Sequence, residues 1–219
     1  MRRLPTVEEV WPAVPRTRRR SLSEWRRLNR EIDRCRRCPL GNLRKHTVIH
    51  RGSLRPRVLF VGEAPGASED RVGIPFVGAA GKRLDQLVAR LGLLESEFAV
   101  VNVIKCHPPK NKFSTGAAEA CRPFLARQVE FLQPIMIVPL GVAALAAFRP
   151  DVLPITRAAG RLFRWRGLLF FPLIHPSAAA RSGEYLRRWE HDGKALSRVL
   201  SRLGAVGNAS PVPGSGATV

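Results

Sequence analysis

The chain reads as an α/β protein, a three-layer α/β/α sandwich around a four-stranded, mainly parallel sheet, and three observations carry that reading. Four short runs, "RVLFVG" (57–62), "FAVVNVI" (98–104), "IMIVPLG" (135–141) and "LLFFPLIHP" (168–176), are almost continuously apolar. That is the pattern of strands buried on both faces. Longer segments of helical period separate them, so strand and helix alternate as in the crossover units of a parallel sheet. Each run also ends in an unusual, turn-rich sequence, "GEAPG", "NVIKCHPP", "PLGV" and "HPSAAAR". In open α/β sheets ligands bind beyond the carboxyl ends of the strands, so these loops converge on one candidate site.

Taken in order, residues 1–20 are rich in Pro and Arg without helical period and read as a disordered extension. From Ser21 the positions Leu22, Trp25, Leu28, Ile32 and Cys35 recur every three or four residues, with Ser21 and Ser23 as candidate caps. This predicts an amphipathic helix that delivers the first cysteines. Further helices are expected in "AAGKRLDQLVARLGL" (79–93), "GAAEACRPFLARQVEFL" (116–132), "GVAALAAF" (141–148) and "SGEYLRRWEHDGKALSRVLSRLG" (182–204). Residues 204–219 are small and turn-forming, a second disordered end. The folded domain is therefore placed at 21–203, and neither end is expected to carry catalysis.

Among 219 residues, 37 Lys and Arg face 17 Asp and Glu, a formal charge of +20. Such an excess points to a polyanionic partner, nucleic acid first, although charge alone names no chemistry. No window approaches 18 consecutive apolar residues, and the N-terminus lacks the continuous apolar core of a secretory signal. No membrane partner is expected, and the cytoplasm is the expected compartment. In that reducing setting four cysteines read as metal ligands or buried thiols rather than disulfides.

Cys35 and Cys38 form C-x2-C, and Cys106 and Cys121 follow from separate segments. Four thiolates suit either a structural zinc or a [4Fe–4S] cluster, and spacing does not choose between them. In "LFVGEAPGASEDRVGIPFVGAAGKRL", from Leu59 to Leu84, Gly62, Pro65 and Gly66 make a sharp turn after a strand, which leaves backbone N–H groups free to face a ligand. His175 opens a second short turn, fixed by Pro176.

Together, "GEAPGASEDRVGIPFVGAAG", "NVIKCHPPKN", "CRPFLARQVEFLQPIMIVPLG" and "HPSAAAR", in that order and with this cysteine spacing, resemble the iron–sulfur, family 4 type of uracil-DNA glycosylase over roughly residues 31–200. The resemblance implies the uracil-DNA glycosylase fold, a [4Fe–4S] cluster on Cys35, Cys38, Cys106 and Cys121, and excision of uracil from single- or double-stranded DNA by a monomer. It implies that Glu63 and Ala64 line the base pocket with their backbone, that Phe76 stacks on the flipped base, that Asn102 reads its polar edge, and that His175 faces the uracil O2. The departing uracil anion needs a donor, which His175 supplies either as a neutral N–H or as imidazolium. Glu69, with Asp70 and Glu63 as alternatives, is expected to hold the sugar cation or orient water. Ser177 and Arg181, followed by Ser182, are expected at the DNA, and Lys105, Lys110 and Lys112 at backbone phosphates. Two rivals remain: a related glycosylase that crosslinks to DNA through a histidine in a basic "KRRIH" insert, where this chain has "HPPKNKFSTG", and a non-catalytic iron–sulfur DNA-binding protein.

Overall fold

The computed structural model describes residues 21–148 and 154–204; the expected extension at 1–20 and the tail beyond 204 lie outside the described residues. The first helix, α1 (Leu22–Asp33), starts at Ser21, whose hydroxyl accepts from the Glu24 N–H while the Glu24 carboxylate reaches back to the Ser21 N–H. This reciprocal cap satisfies donors that a helix start leaves open. Trp25, Leu28 and Ile32 form its buried stripe, while Leu22 is exposed. A short turn of helix, α2 (Leu40–Leu43), leads to the edge strand β1 (Arg51–Gly52) and the first central strand β2 (Val58–Gly62).

Then come α3 (Ala67–Val72), α4 (Ala79–Arg90), β3 (Phe98–Asn102), a 3-10 turn (Pro109–Asn111), α5 (Thr115–Leu132), β4 (Met136–Pro139), α6 (Val142–Phe148) and α7 (Ile155–Ala158). The chain finishes with the hairpin β5 (Phe163–Trp165) and β6 (Leu168–Phe170), the short α8 (Pro176–Ala179) and the long α9 (Gly183–Arg202).

The sheet order is β1-β3-β2-β4-β6-β5. The four expected strands are all present as its parallel centre, β3-β2-β4-β6. The expectation of four strands is corrected to six by antiparallel additions at both edges, β1 on β3 and β5 on β6. β2 and β3 are buried along their whole lengths because helices cover both faces. Leu59, Val61, Ala99, Val101 and Ile137 pack toward α1, α5 and α6. Val58, Phe60, Val100, Met136 and Val138 pack toward α4 and α9. This alternation gives the three-layer sandwich. The chain runs from β2 to β3 on one side and returns to β4 on the other, so a crevice opens at the carboxyl ends where the order reverses. Among the described residues no helix is long and apolar enough to cross a membrane.

Candidate active site

A cavity of about 670 Å³ opens at that crevice. Glu63 follows β2, Asn102 ends β3, Gly141 follows β4 and His175 follows β6, so all four parallel strands deliver a residue to its wall. Ala64, Glu69, Phe76, Ser177 and Arg181 line it as well. The expected pocket residues Glu63, Ala64, Phe76, Asn102 and His175, together with Ser177 and Arg181, are thus brought to one place.

Asn102 is 1% exposed, and its side-chain oxygen is buried with no hydrogen-bond partner among the described residues. A buried amide left half-satisfied costs about 1–3 kcal/mol unless something completes it, so it marks a place for a polar ligand. Its backbone carbonyl accepts from the ammonium of Lys105, which is itself fully buried. Lys105 therefore does not reach DNA phosphates as expected, whereas Lys110 and Lys112 are exposed. Gly62 lies directly under the recognition groups: a Cβ there would overlap both the Asn102 side-chain oxygen and the Phe76 ring. The Phe76 ring is buried, with its centroid 6.1 Å from that of His175.

His175 caps α8. Its Nδ1 accepts from the Ser177 N–H at 3.2 Å and lies 2.7 Å from the Ser177 hydroxyl. A backbone N–H can only donate, so Nδ1 holds a lone pair and the ring proton resides on Nε2. Burial, with the nearby Arg181 charge, pushes the His175 pKa down to about 4. The ring is therefore neutral at physiological pH and carries its N–H at Nε2. Ser177 meets this ring through both its hydroxyl and its N–H, and it lines the cavity as well.

The carboxylates divide sharply. Glu69 is buried, and its two oxygens accept from the N–H groups of Gly66, Val77 and Gly78 at 2.7–3.0 Å. Asp70 is buried too, accepting from the N–H groups of Lys45 and His46. Both hold loops, and three backbone donors occupy most of the acceptor sites of Glu69 although it lines the cavity. Glu63 is half-buried at the cavity wall with no side-chain hydrogen bond among the described residues, and burial raises its pKa.

The four cysteines are free thiols that line a second, small pocket with Ile32, Gly41, Arg44, Lys105 and Phe124. Arg44 donates to the Cys106 sulfur at 3.4 Å and the Arg37 N–H to the Cys35 sulfur at 3.5 Å. Burial pushes the Cys121 thiol up to about 11 and also raises Cys106, against the pull of Arg44. Among the described residues no three His, Cys, Asp or Glu side chains converge on a single metal ion. The segment after Cys106 touches the active site directly, since His107 Nδ1 lies 2.9 Å from the Pro65 carbonyl oxygen.

Sequence reasoning overlooks Arg51, Thr156 and Tyr185. The last two line the cavity mouth, and Arg51 reaches the Phe76 carbonyl from the sheet edge. None carries a local motif; only the close spacing of glycines around Phe76 hinted that its backbone is held.

Comparison with known proteins agrees with this architecture. The model of the uracil DNA glycosylase superfamily matches residues 49–197. The type-4 uracil-DNA glycosylase of Sulfurisphaera tokodaii is 34% identical over 78% of this chain and 82% of its own length. The type-4 enzyme of Thermotoga maritima is 37% identical over 71% and 82%, and that of Archaeoglobus fulgidus 35% over 79% and 92%. The chain belongs to the uracil-DNA glycosylase superfamily and, within it, groups with the type-4 uracil-DNA glycosylases.

Proposed function

We propose that the protein excises uracil from DNA, hydrolysing the N-glycosidic bond of a flipped deoxyuridine and leaving an abasic site. The observation that carries this reading is the buried, unpartnered oxygen of Asn102 in a cavity shared with Phe76 and His175. A carboxamide complements uracil, its oxygen accepting from N3–H and its nitrogen donating to O4. Cytosine presents the reverse pattern and leaves both groups unpaired, so it is rejected.

Extruding a nucleotide costs a few kcal/mol of stacking and pairing, least at a U·G mismatch or in single strands, and stacking on Phe76 offsets part of it. As the bond breaks, charge gathers on uracil O2. The Nε2–H of His175 stabilises it without first having to lose or gain a proton. Glu63 is the carboxylate free to face the cationic sugar and the attacking water. Arg181, exposed at the rim, is the group available to a flanking phosphate.

Cys35, Cys38, Cys106 and Cys121 would hold a [4Fe–4S] cluster. The four thiols line one pocket, and four soft thiolate donors are what such a cluster requires. N–H donors aimed at two of the sulfurs suit thiolates. When bound, the cluster supplies a covalent staple between the α1 segment and the β3–α5 segment.

The test is single-turnover release of uracil from a U·G duplex together with equilibrium binding. Asn102→Ala should lower excision and narrow the margin over other bases. His175→Ala should slow the chemical step by about 100- to 1,000-fold while uracil-DNA binding changes little. A wild-type protein that retains uracil DNA without turnover, or becomes covalently attached to it, overturns this reading.

A further inference from the structure

The peptide joining Phe76 to Val77 is gripped at both of its polar atoms. Its carbonyl oxygen accepts from Arg51 Nη1 at 3.0 Å, and its N–H donates to Glu69 Oε1 at 2.9 Å. Phe76 sits at φ 57°, the left-handed region that a bulky aromatic residue leaves when nothing holds it there. Gly81 packs so closely beneath that a Cβ would overlap the same carbonyl. Each gripping group is itself fixed. Arg51 Nη2 pairs with Asp85 Oδ1 of α4 at 2.5 Å, and Glu69 takes the Gly66 and Gly78 N–H groups as well. With both terminal guanidinium nitrogens engaged and its side chain only 25% exposed, Arg51 is poorly placed to serve as a phosphate contact.

We propose that Arg51 and Glu69 are positioning residues for base recognition, which pull the Phe76–Val77 peptide from opposite sides and so hold Phe76 in the left-handed conformation that presents its ring to the flipped base. This rests on the uracil-excising reading above. Without the guanidinium the peptide is held only at its N–H, the left-handed conformation of Phe76 loses half of its clamp, and its ring is less firmly kept at the cavity wall. The chemistry at His175 and Glu63 is untouched, so the loss falls on binding of the base.

A double-mutant cycle on the full chain tests this with Arg51→Gln, Phe76→Ala and the pair. KM and the saturating single-turnover rate are read on a uracil oligonucleotide, and affinity on undamaged DNA. Arg51→Gln should raise KM about tenfold, in keeping with a lost hydrogen bond to a charged donor, and leave the saturating rate within about threefold. Adding it to Phe76→Ala should cost nothing more, because both act through one ring. Arg51→Lys should recover part of the loss. If Arg51→Gln does not fold, Asp85→Asn, which frees the guanidinium but keeps its donor, takes its place in the cycle with a smaller rise in KM. Losses that multiply in the pair, or an equal loss on undamaged DNA, overturn the clamp while leaving the excision reading intact. A wild-type chain that releases no uracil overturns both.

Discussion

The His175 ring accepts an N–H at Nδ1, has lost most of its hydration and faces the Arg181 charge, and all three disfavour a second proton. Its pKa falls from 6.5 to about 4. Between those values the unfolded chain holds a proton that the folded one lacks, so stability is full above about pH 6.5 and is lost as the pH falls toward 4. Glu63 titrates the other way in effect: burial raises its pKa, so it loses its charge at a pH above the ordinary carboxylate range. The chemical step should therefore not rise as the pH falls through 6.5, and it should drop on the acid side as Glu63 is protonated, with Glu63→Gln slow but lacking that drop. Single-turnover rates against pH give the check. A rate that climbs as the pH falls through 6.5 would mean that imidazolium is the working form.

At the scale of elements, the cysteine pocket joins parts of the chain that otherwise share little. Cys35 and Cys38 follow α1, Cys106 follows β3 and Cys121 lies in α5. The same β3–α5 segment holds the active-site loop through Val103 N–H to the Gly62 carbonyl, Ile104 N–H to the Glu63 carbonyl and His107 to the Pro65 carbonyl. Cys121→Ala should lower the thermal midpoint and the iron content together, and should slow excision through the loosened loop although Cys121 is far along the chain from it. Midpoint and iron analysis across Cys121→Ala and Cys121→Ser are the measurement; unchanged iron would refute the ligand set. The central strands were legible because two-sided burial writes an unbroken aliphatic run. The edge strands were not. β1 has two residues, and the β5–β6 turn is built on Arg166 and Gly167, both at positive φ, without the Asn-Gly or Asp-Gly cue that announces such hairpins. Glu63, Asn102 and His175 stand in or beside strand ends, where ligands of such sheets bind, whereas Phe76, between α3 and α4, was placed at the site only by the family resemblance. The clamp on Phe76 was not legible, because Arg51 meets its carbonyl 25 residues away only once β1 is paired to the sheet. Lys105 was misread as a surface charge because its burial depends on the carbonyl of Asn102, fixed at the end of β3.

Across the whole molecule the excess of positive charge is far larger than the site itself uses. Arg127 pairs with Glu31, Arg188 with Asp192 and Arg51 with Asp85, yet 37 cations against 17 anions leave 20 positive charges in excess of the carboxylates. A duplex provides the complementary charge, and each neutralised phosphate releases counterions. Affinity for undamaged duplex should therefore fall with salt at a log–log slope near −0.9 per phosphate, so a footprint of about five phosphates loses roughly 500-fold between 50 and 200 mM salt. Residues 1–20 contain six arginines. If they tether the protein to DNA, removing them should flatten that slope and weaken binding, while uracil release from DNA already bound keeps its rate, because the four strand-end loops that form the cavity are untouched. Salt titrations and single-turnover rates on the full and shortened chains separate the two effects. A slope that does not change on shortening would confine the DNA footprint to the folded domain, and an equal loss in binding and in rate would give the extension a part in the chemistry that its distance from the four loops in sequence argues against.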